Sequence, residues 1–315
     1  MYWDRVAKLY DIFEGVVNKE KVIPASIQYR AANAVLDFAN HKMNGIVKKC
    51  MNKEMSPKRE PIDFPARYMK RVDIIRDIYQ GRPVYTLLPK SKIVADKEII
   101  FLHGGGGVMP PTSLHFDFAV SLVEKTSVPL HFLMYPLAPK ANCAEAVIWL
   151  ESWYEDRIAT EPHKEFYVIG DSAGAGLSVA LSSGGRKQLA GTVLISPAAG
   201  LDEKEKYMAE YEEHDVLLSM ELMDGIADCW GKGMELTDYR LNSAYADFNN
   251  FPRCMIIYGG REMFAGTIPV FKEKMSETNI NLSLIKGEIH CHDWPLAQLL
   301  PESKEALKEI ADFIG

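Results

Sequence analysis

The sequence predicts an α/β protein with a mostly parallel sheet that is covered by helices on both faces. From about residue 70 onward, short runs rich in Val, Ile, Leu and Tyr alternate with helix-length segments. Runs such as EIIFL and TVLIS are almost continuously apolar, which is typical of strands buried on both faces. Eight such runs occur, so we predict an eight-stranded sheet.

The eight candidate strands follow one another along the chain. They read VDIIRDIY, PVYTLL, EIIFLH, VPLHFLMY, FYVIG, TVLIS, CMIIYG and LSLIKG. The first two are joined by the short turn Gln80–Gly81–Arg82, which favours an antiparallel hairpin. After the fourth, the segment AEAVIWLESWYEDRI has the apolar stripe of a crossover helix.

Two parts of the chain depart from this alternation. Residues 1–60 carry apolar residues at helical spacing, which predicts an N-terminal helical cap segment, and the linker MNKEMSPKREP follows it. The connection between TVLIS and CMIIYG is too long for an ordinary loop. It predicts a helical insertion at about 203–245, with Asp215 or Ser219 capping a helix. We expect both segments to form a lid over a catalytic domain that spans residues 70–315.

Composition argues against several classes of partner. The 315-residue chain has a formal net charge of −7, whereas nucleic-acid binding requires clustered Lys and Arg. No apolar run approaches the roughly 18 residues of a membrane-spanning helix, and the charged N-terminus is unlike a secretory signal. The cysteines are odd in number and lack CxxC pairing, which indicates reduced thiols in a cytoplasmic protein: Cys50, Cys143, Cys229, Cys254 and Cys291.

Residues 170–174, GDSAG, match the G-x-S-x-G pattern of a nucleophile elbow. The apolar run before them and the small-residue helical pattern after them supply the strand-to-helix context that this motif requires. In such a turn Ser172 projects its hydroxyl clear of the backbone, and the flanking glycines let neighbouring segments pass close by. The alternative is that Ser172 only caps the exposed amides of the following helix.

Residues 103–107, HGGGG, directly follow the predicted strand EIIFL. Acyl transfer builds negative charge on the former carbonyl oxygen, and the N–H groups of a loop without side chains can reach that oxygen. A phosphate-binding loop fits less well, because neither Gly-Lys-Ser/Thr nor G-x-G-x-x-G spacing is present. A flexible turn is a further alternative. We interpret His103 as a structural residue that anchors this loop.

Taken in order along the chain, these motifs resemble the hormone-sensitive-lipase branch of the α/β-hydrolase fold. HGGG follows the third strand, YPLAP at 135–139 follows the fourth and GDSAG follows the fifth, while SPAAGLD at 196–202 is a looser match. The resemblance covers roughly residues 70–315. It implies hydrolysis of carboxylic esters by a Ser–acid–His triad, in which a carboxylate fixes the tautomer of the histidine that activates the serine.

The resemblance places the acid just after the seventh strand, where the chain reads GGREMF and offers Glu262. Many relatives carry D-x-L-x-D at this point, whereas Phe264 and Gly266 occupy the later positions here. The alternative is that Glu262 is an ordinary solvated carboxylate in a loop.

The histidine should follow the eighth strand, where two candidates lie two residues apart. His290 comes three residues after Gly287, as in the family's G-x-x-H, whereas His292 begins HDWPL, which is closer to the family's H-x-F/W-P-L. We favour His292 as the base and assign His290 to the pocket lining or to a supporting role. His-x-His in an extended segment also suits a metal, but no further ligands stand out at a suitable spacing.

These residues predict a serine carboxylesterase that acts on small, short-chain acyl esters. Ser172 is the predicted nucleophile, His292 the base and Glu262 the orienting acid. The predicted oxyanion donors are the N–H groups of Gly105, Gly106 and Ala173. No cofactor or metal is predicted. An amidase or deacetylase with the same triad and a non-catalytic binding protein on this scaffold are the alternatives. The oligomeric state stays open, with a homodimer as one alternative.

Overall fold

The computed structural model describes residues 20–31, 63–278 and 280–315, and its centre is one nine-stranded sheet. The strands are β1 (Lys21–Ile23), β2 (Val72–Tyr79), β3 (Arg82–Pro89), β4 (Lys97–Leu102), β5 (Leu130–Leu133), β6 (Glu165–Asp171), β7 (Leu189–Ile195), β8 (Arg253–Gly259) and β9 (Leu282–Gly287). Their spatial order is β1-β9-β8-β7-β6-β4-β5-β3-β2. Only the β2–β3 and β3–β5 pairs are antiparallel, so the predicted mostly parallel α/β architecture is confirmed.

Helices cover both faces of this sheet. They are α1 (Ser113–Thr126), α2 (Cys143–Thr160), α3 (Ala173–Ser182), α4 (Lys204–Tyr207), α5 (Met220–Trp230), α6 (Ile268–Ser276) and α7 (Pro301–Ile314), and residues 27–31 are helical as well. In the described ranges, no helix combines the length and the apolar character needed to cross a bilayer.

The side chains of β4 show why both faces of the sheet are covered. Ile99 and Phe101 belong to the core that includes α1 and α7, whereas Ile100 and Leu102 belong to the core that includes α2 and α3. All four side chains are fully buried. Burial of each such side chain stabilises a fold by about 1.5–3 kcal/mol. The continuous apolar run in the sequence therefore reflects a strand with two buried faces.

The predicted hairpin joins β2 to β3 through a two-residue turn. Tyr79 pairs with Arg82, which leaves Gln80 and Gly81 as the turn. Their φ angles are 45° and 77°. Positive φ at both central positions is the backbone of a type I′ turn, whose twist matches that of the two strands.

The predicted number of strands was wrong by one, because β1 adds a parallel edge strand beside β9. This strand lies within residues 1–60, where the periodicity predicted helices. It is only three residues long and ends just before Pro24, so hydrophobic periodicity could not reveal it. Lys21 in β1 pairs with Ile285 in β9, which is distant in sequence. Of the predicted cap segment, the structure describes only residues 20–31. The other residues of that segment and the linker at 51–61 lie outside the described residues.

The region predicted as an insertion, about 203–245, contains short helical turns and one longer helix, α5. Ser219 caps the N-terminus of α5, where its Oγ accepts a hydrogen bond from the N–H of Leu222 at 3.2 Å. Oδ1 of Asp215 accepts hydrogen bonds from the N–H groups of Leu217 and Leu218 at 2.8 and 2.9 Å. Both residues that the sequence predicted as caps therefore bond backbone N–H groups, Asp215 in the segment that leads into α5 and Ser219 in the first turn of α5.

Candidate active site

Ser172 alone forms the sharp turn between β6 and α3. β6 ends at Asp171 and α3 begins at Ala173, and Ser172 between them has φ 51° and ψ −118°. A non-glycine residue in such a backbone conformation is uncommon and costs on the order of 1–3 kcal/mol. The Ser172 side chain makes no capping hydrogen bond to α3. A serine that only capped the helix would have extended backbone and a bonded hydroxyl, so the geometry is that of a nucleophile elbow.

The glycines on either side of Ser172 are required by close packing. A Cβ atom at Gly170 would collide with the carbonyl oxygen of Gly174, and a Cβ atom at Gly174 would collide with the carbonyl oxygen of Leu102. The elbow therefore lies directly against the end of β4, where the glycine-rich loop begins. Glycine at both positions is what allows β6, α3 and β4 to meet at this point.

The glycine-rich loop is fastened to the residue before the nucleophile. The N–H of Gly104 donates a hydrogen bond to Oδ2 of Asp171 at 2.9 Å, and Nε2 of His115 lies 3.1 Å from the same oxygen. The carbonyl oxygen of His103 accepts a hydrogen bond from the hydroxyl of Tyr135. Asp171 and His103 are fully buried. These contacts fix the loop beside Ser172, and they agree with the structural role predicted for His103.

Three backbone N–H groups beside Ser172 are available to a ligand. Gly105 and Gly106 have φ 101° and 65°, which turn the chain away from β4. Within the part of the chain that the structure describes, their N–H groups and that of Ala173 donate to no protein acceptor. The N–H of Ala173 is free because it lies in the first turn of α3. These are the amides that the sequence predicted as oxyanion donors.

Helix α5 packs directly on the glycine-rich loop. A Cβ atom at Gly106 would come within 2.7 Å of Cδ1 of Ile226, and a Cβ atom at Gly107 would collide with the Trp230 indole. The same region of the chain also reaches the other side of the site, because Oδ2 of Asp215 accepts a hydrogen bond from the N–H of Met263 at 2.7 Å. Residues 215–230 therefore extend from the glycine-rich loop to the loop after β8.

Glu262 and His292 form a buried pair at the carboxyl ends of β8 and β9. Oε2 of Glu262 lies 2.7 Å from Nδ1 of His292, and Oε1 accepts a hydrogen bond from the N–H of Gly259 at 2.7 Å. Glu262 is fully buried and His292 is 6% exposed. The ring of Phe264 packs edge-on against His292, with centroids 5.1 Å apart. Phe264, which departs from the family pattern, thus helps to hold the imidazole.

Burial and neighbouring charges shift the ionisation of this pair. Burial lowers the pKa of His292, but the carboxylates of Asp293 and Glu262 outweigh it and raise the pKa to about 10. Burial raises the pKa of Glu262, and the hydrogen bonds from His292 and the N–H of Gly259 oppose that change. At neutral pH the histidine is therefore stabilised in its protonated form.

The second ring nitrogen of His292 lies close to another carboxylate. Nε2 lies 3.2 Å from Oδ2 of Asp293, the next residue in the chain. Within the described ranges, the hydroxyl of Ser172 makes no hydrogen bond. The loop that carries the histidine is nevertheless held next to the elbow. The N–H of Asp293 donates to Oγ of Ser196 at 3.0 Å, and the N–H of Ser172 donates to the carbonyl oxygen of Ile195 at 2.9 Å.

Among the described residues, the ring of His290, the rival candidate, makes no hydrogen bond or ion pair with Glu262. Its ring packs between Tyr29 and Trp294, with centroid separations of 4.2 and 4.6 Å. Nε2 of His290 is 3.7 Å from Oε1 of Glu302, and the ring is fully buried. Burial lowers the pKa of His290 to about 4, which keeps the ring neutral. The structure therefore places His290 in the interior behind the histidine loop.

Sequence reasoning did not assign roles to several residues that shape this site. Asp171 is the first variable residue of the GDSAG motif and Tyr135 begins YPLAP, so both belong to motifs that the sequence shows. From the sequence, Asp215 is predicted only to cap a helix. Asp293 has no predicted role and is noted only as the second residue of HDWPL. The local sequence does not show that the Asp215 carboxylate acts on His292, because that depends on how distant segments pack. Nor does it show that the Asp293 side chain turns back toward the ring of His292.

The chain belongs to the alpha/beta hydrolase fold family, whose pattern matches residues 99–296, more than half of its length. The match begins in β4 and ends with HDWPL. It therefore spans the glycine-rich loop, the elbow and the two loops that carry Glu262 and His292. The family predicted from the order of the motifs is confirmed.

Individual relatives agree with this assignment. The chain is 26% identical to an esterase from Acinetobacter venetianus over 235 residues, which cover 71% of this chain and 76% of the esterase. It is 21% identical to a triacylglycerol lipase from Mycobacterium tuberculosis over 69% of this chain, but this match spans only 46% of the lipase. A solved hormone-sensitive lipase from a metagenome library has a TM-score of 0.75 at 20% identity, over 90% of this chain and 96% of that one, and shares the fold.

Proposed function

We propose that this protein is a serine carboxylesterase with Ser172 as nucleophile, His292 as base and Glu262 as orienting acid. The observation that carries this proposal is the pair Glu262–His292, joined at 2.7 Å and buried at the edge of the sheet where the strained Ser172 turn also lies. Membership of the alpha/beta hydrolase fold family and the resemblance to an esterase support the same reaction class.

The residues divide the reaction between them. Oγ of Ser172 bonds to the ester carbonyl carbon while its proton passes to Nε2 of His292. The charge that forms on the carbonyl oxygen is stabilised by the N–H groups of the glycine-rich loop and of Ala173. The imidazolium then gives its proton to the departing alcohol, and water repeats both steps on the acyl-serine to release the acid. Glu262 keeps the proton on Nδ1 throughout.

The contacts of α5 support small acyl groups as substrates. Ile226 and Trp230 pack on Gly106 and Gly107, so bulky side chains limit the space beside the proposed oxyanion donors. This packing is also why we propose that the region at about 203–245 acts as a lid. The resemblance to a triacylglycerol lipase favours a second candidate, hydrolysis of long-chain acyl esters.

A series of p-nitrophenyl esters from acetate to palmitate separates these candidates. We expect acetate or butyrate to react fastest and the Ser172→Ala variant to react with none of them. Faster turnover of palmitate or of emulsified triglyceride than of butyrate would favour the long-chain candidate. Turnover of amides or N-acetyl substrates, but of no ester, would support the amidase or deacetylase alternative. Binding of esters without any turnover would support the non-catalytic alternative.

A further inference from the structure

The carboxylate of Asp293 lies beside the ring nitrogen of His292 that the proposed mechanism needs. Nδ1 of the ring is held by Glu262 at 2.7 Å, while Nε2 lies 3.2 Å from Oδ2 of Asp293. A ring flanked by two carboxylates is stabilised in the form in which both nitrogens carry protons. In that form Nε2 has no lone pair with which to accept the proton of Ser172.

Four carboxylates from four parts of the chain influence the ionisation of His292 and Asp293. Asp171 ends β6, Asp215 precedes α5, Glu262 follows β8, and Asp293 lies in the histidine loop itself. Three of them are engaged by hydrogen bonds that hold the fold. Asp171 accepts from the N–H of Gly104 and also faces His115, Asp215 accepts from three backbone N–H groups, and Glu262 accepts from the N–H of Gly259.

Asp293 differs from the other three carboxylates. Within residues 20–31, 63–278 and 280–315, the one ion pair of its Oδ2 is with the ring of His292, and its Oδ1 is buried without a hydrogen-bond partner. Its backbone has φ 56°, in the left-handed region, and its N–H donates to Oγ of Ser196. These backbone features hold Asp293 in place beside His292, while no structural hydrogen bond requires the carboxylate itself.

We propose that Asp293 is a positioning residue that clamps His292 in a protonated resting state and releases it as the pair loses a proton, so that pH gates the activity. This role rests on the proposed function, because it concerns the same histidine. The clamp must open before Nε2 can take the serine proton, and loss of one proton from the Asp293–His292 pair opens it.

The ionisation of the pair gives the direction of the effect. The negative charges around His292 overcome the effect of burial and raise its pKa to about 10, and burial raises the pKa of Asp293 well above its ordinary range. The active base form appears only as the pH rises through the raised pKa. The kcat/KM of the native enzyme should therefore still be rising at alkaline pH, where a histidine of ordinary pKa, about 6.5, would have reached its plateau.

The test is the pH profile of kcat/KM for p-nitrophenyl butyrate in the native protein, Asp293→Asn, Asp293→Glu and the control Glu302→Gln. The control makes the same change beside His290. We expect the acid limb of the Asp293→Asn profile to lie at least one pH unit lower than that of the native protein. The variant should then be about tenfold faster than the native protein at pH 6, and the two rates should converge at high pH. The pH profiles of kcat/KM for Asp293→Glu and for Glu302→Gln should both have the same acid limb as the native protein.

Superimposable acid limbs of the native protein and Asp293→Asn would overturn this role, as would a uniform loss of rate without any shift. If the native protein hydrolyses no ester, the proposed function fails, and the clamp is then judged by NMR titration of the His292 ring. A ring pKa that is raised in the native protein and falls in Asp293→Asn supports the clamp. A native ring pKa near 6.5 contradicts it, even if the variant does not fold.

Discussion

Oε2 of Glu262 lies 2.7 Å from Nδ1 of His292, although 30 residues separate the two along the chain. The contact forms because β8 and β9 are neighbouring parallel strands, so the loops that leave their carboxyl ends meet at one edge of the sheet. Both side chains are buried, and the glutamate is held from behind by the N–H of Gly259. The imidazole is therefore fixed in orientation before any substrate arrives.

Replacing the acid should disable the base without changing the fold. We expect Glu262→Gln to lower kcat by about 10³–10⁴-fold, because an amide no longer stabilises the imidazolium that forms in the transition state. The control is Glu288→Gln, which neutralises a half-exposed carboxylate in the same turn region after β9. Steady-state kinetics on p-nitrophenyl butyrate compare the two variants. A Glu262→Gln variant that kept a tenth or more of the native kcat would remove Glu262 from the triad.

The two histidines should behave differently on substitution. We expect His292→Ala to lower kcat about as severely as loss of the nucleophile, because triad members act as a unit. His290→Ala should keep most of the rate, since its ring packs against Tyr29 and Trp294 instead of Glu262. It should, however, lower the melting temperature, because it leaves a cavity in the interior. An inactive His290→Ala variant beside an active His292→Ala variant would transfer the role of base to His290.

The parts of the site that could be predicted from the sequence are those that short motifs encode. Ser172 and the glycine-rich loop follow from a few adjacent residues, and the position of Glu262 follows from the strand before it. The strand β1 and the carboxylate of Asp215 could not be assigned, because their partners lie in distant segments. Asp293 lies beside its own neighbour His292, but its burial depends on those same segments. Pairing and packing between such segments leave no periodic signal in the chain. Even the choice between His290 and His292 depended on a family resemblance.

Trp230 should limit the length of the acyl chain. Its indole packs where a side chain at Gly107 would project, so Trp230→Ala opens space beside the proposed oxyanion donors. We expect the ratio of kcat/KM for octanoate to that for butyrate to rise about tenfold, on the scale that pocket contacts to single methylene groups allow. Trp149→Ala is the matched control, since Trp149 packs against Tyr79 at 5.6 Å in a different part of the fold. An equal rise in both variants would show general loosening instead.

A buried charge cluster at the start of β4 should govern stability rather than activity. Glu98 is 1% exposed and pairs with His131 at 2.8 Å and with Arg157 and Lys164 at 2.5 Å. Glu98→Gln leaves Arg157 and Lys164 without their shared carboxylate, so we expect it to lower the free energy of unfolding by about 3–5 kcal/mol, measured by urea denaturation. Unchanged stability would show that the cluster contributes little.

The same cluster should make stability depend on acid pH. Burial acts to raise the pKa of Glu98, but hydrogen bonds from His131, Arg157 and Lys164 outweigh it and lower the pKa. A carboxyl whose pKa is lower in the folded than in the unfolded state stabilises the fold above the unfolded pKa. That contribution is lost as the pH falls through the folded value. We therefore expect the native protein to lose more stability than Glu98→Gln on acidification. Parallel curves would contradict this.

Covalent labelling of Ser172 by a fluorophosphonate tests the proposed mechanism most directly. The serine hydroxyl is the only group of the protein to which the mechanism assigns nucleophilic attack, and Ser172→Ala removes it without adding volume. We predict one adduct per chain by intact mass, located on Ser172 by peptide mapping and forming in parallel with loss of esterase activity, and no adduct on folded Ser172→Ala. Two results would contradict this mechanism. The first is undiminished hydrolysis, without an adduct, by enzyme that has been treated with excess fluorophosphonate. The second is a Ser172→Ala variant that retains more than a few per cent of the rate.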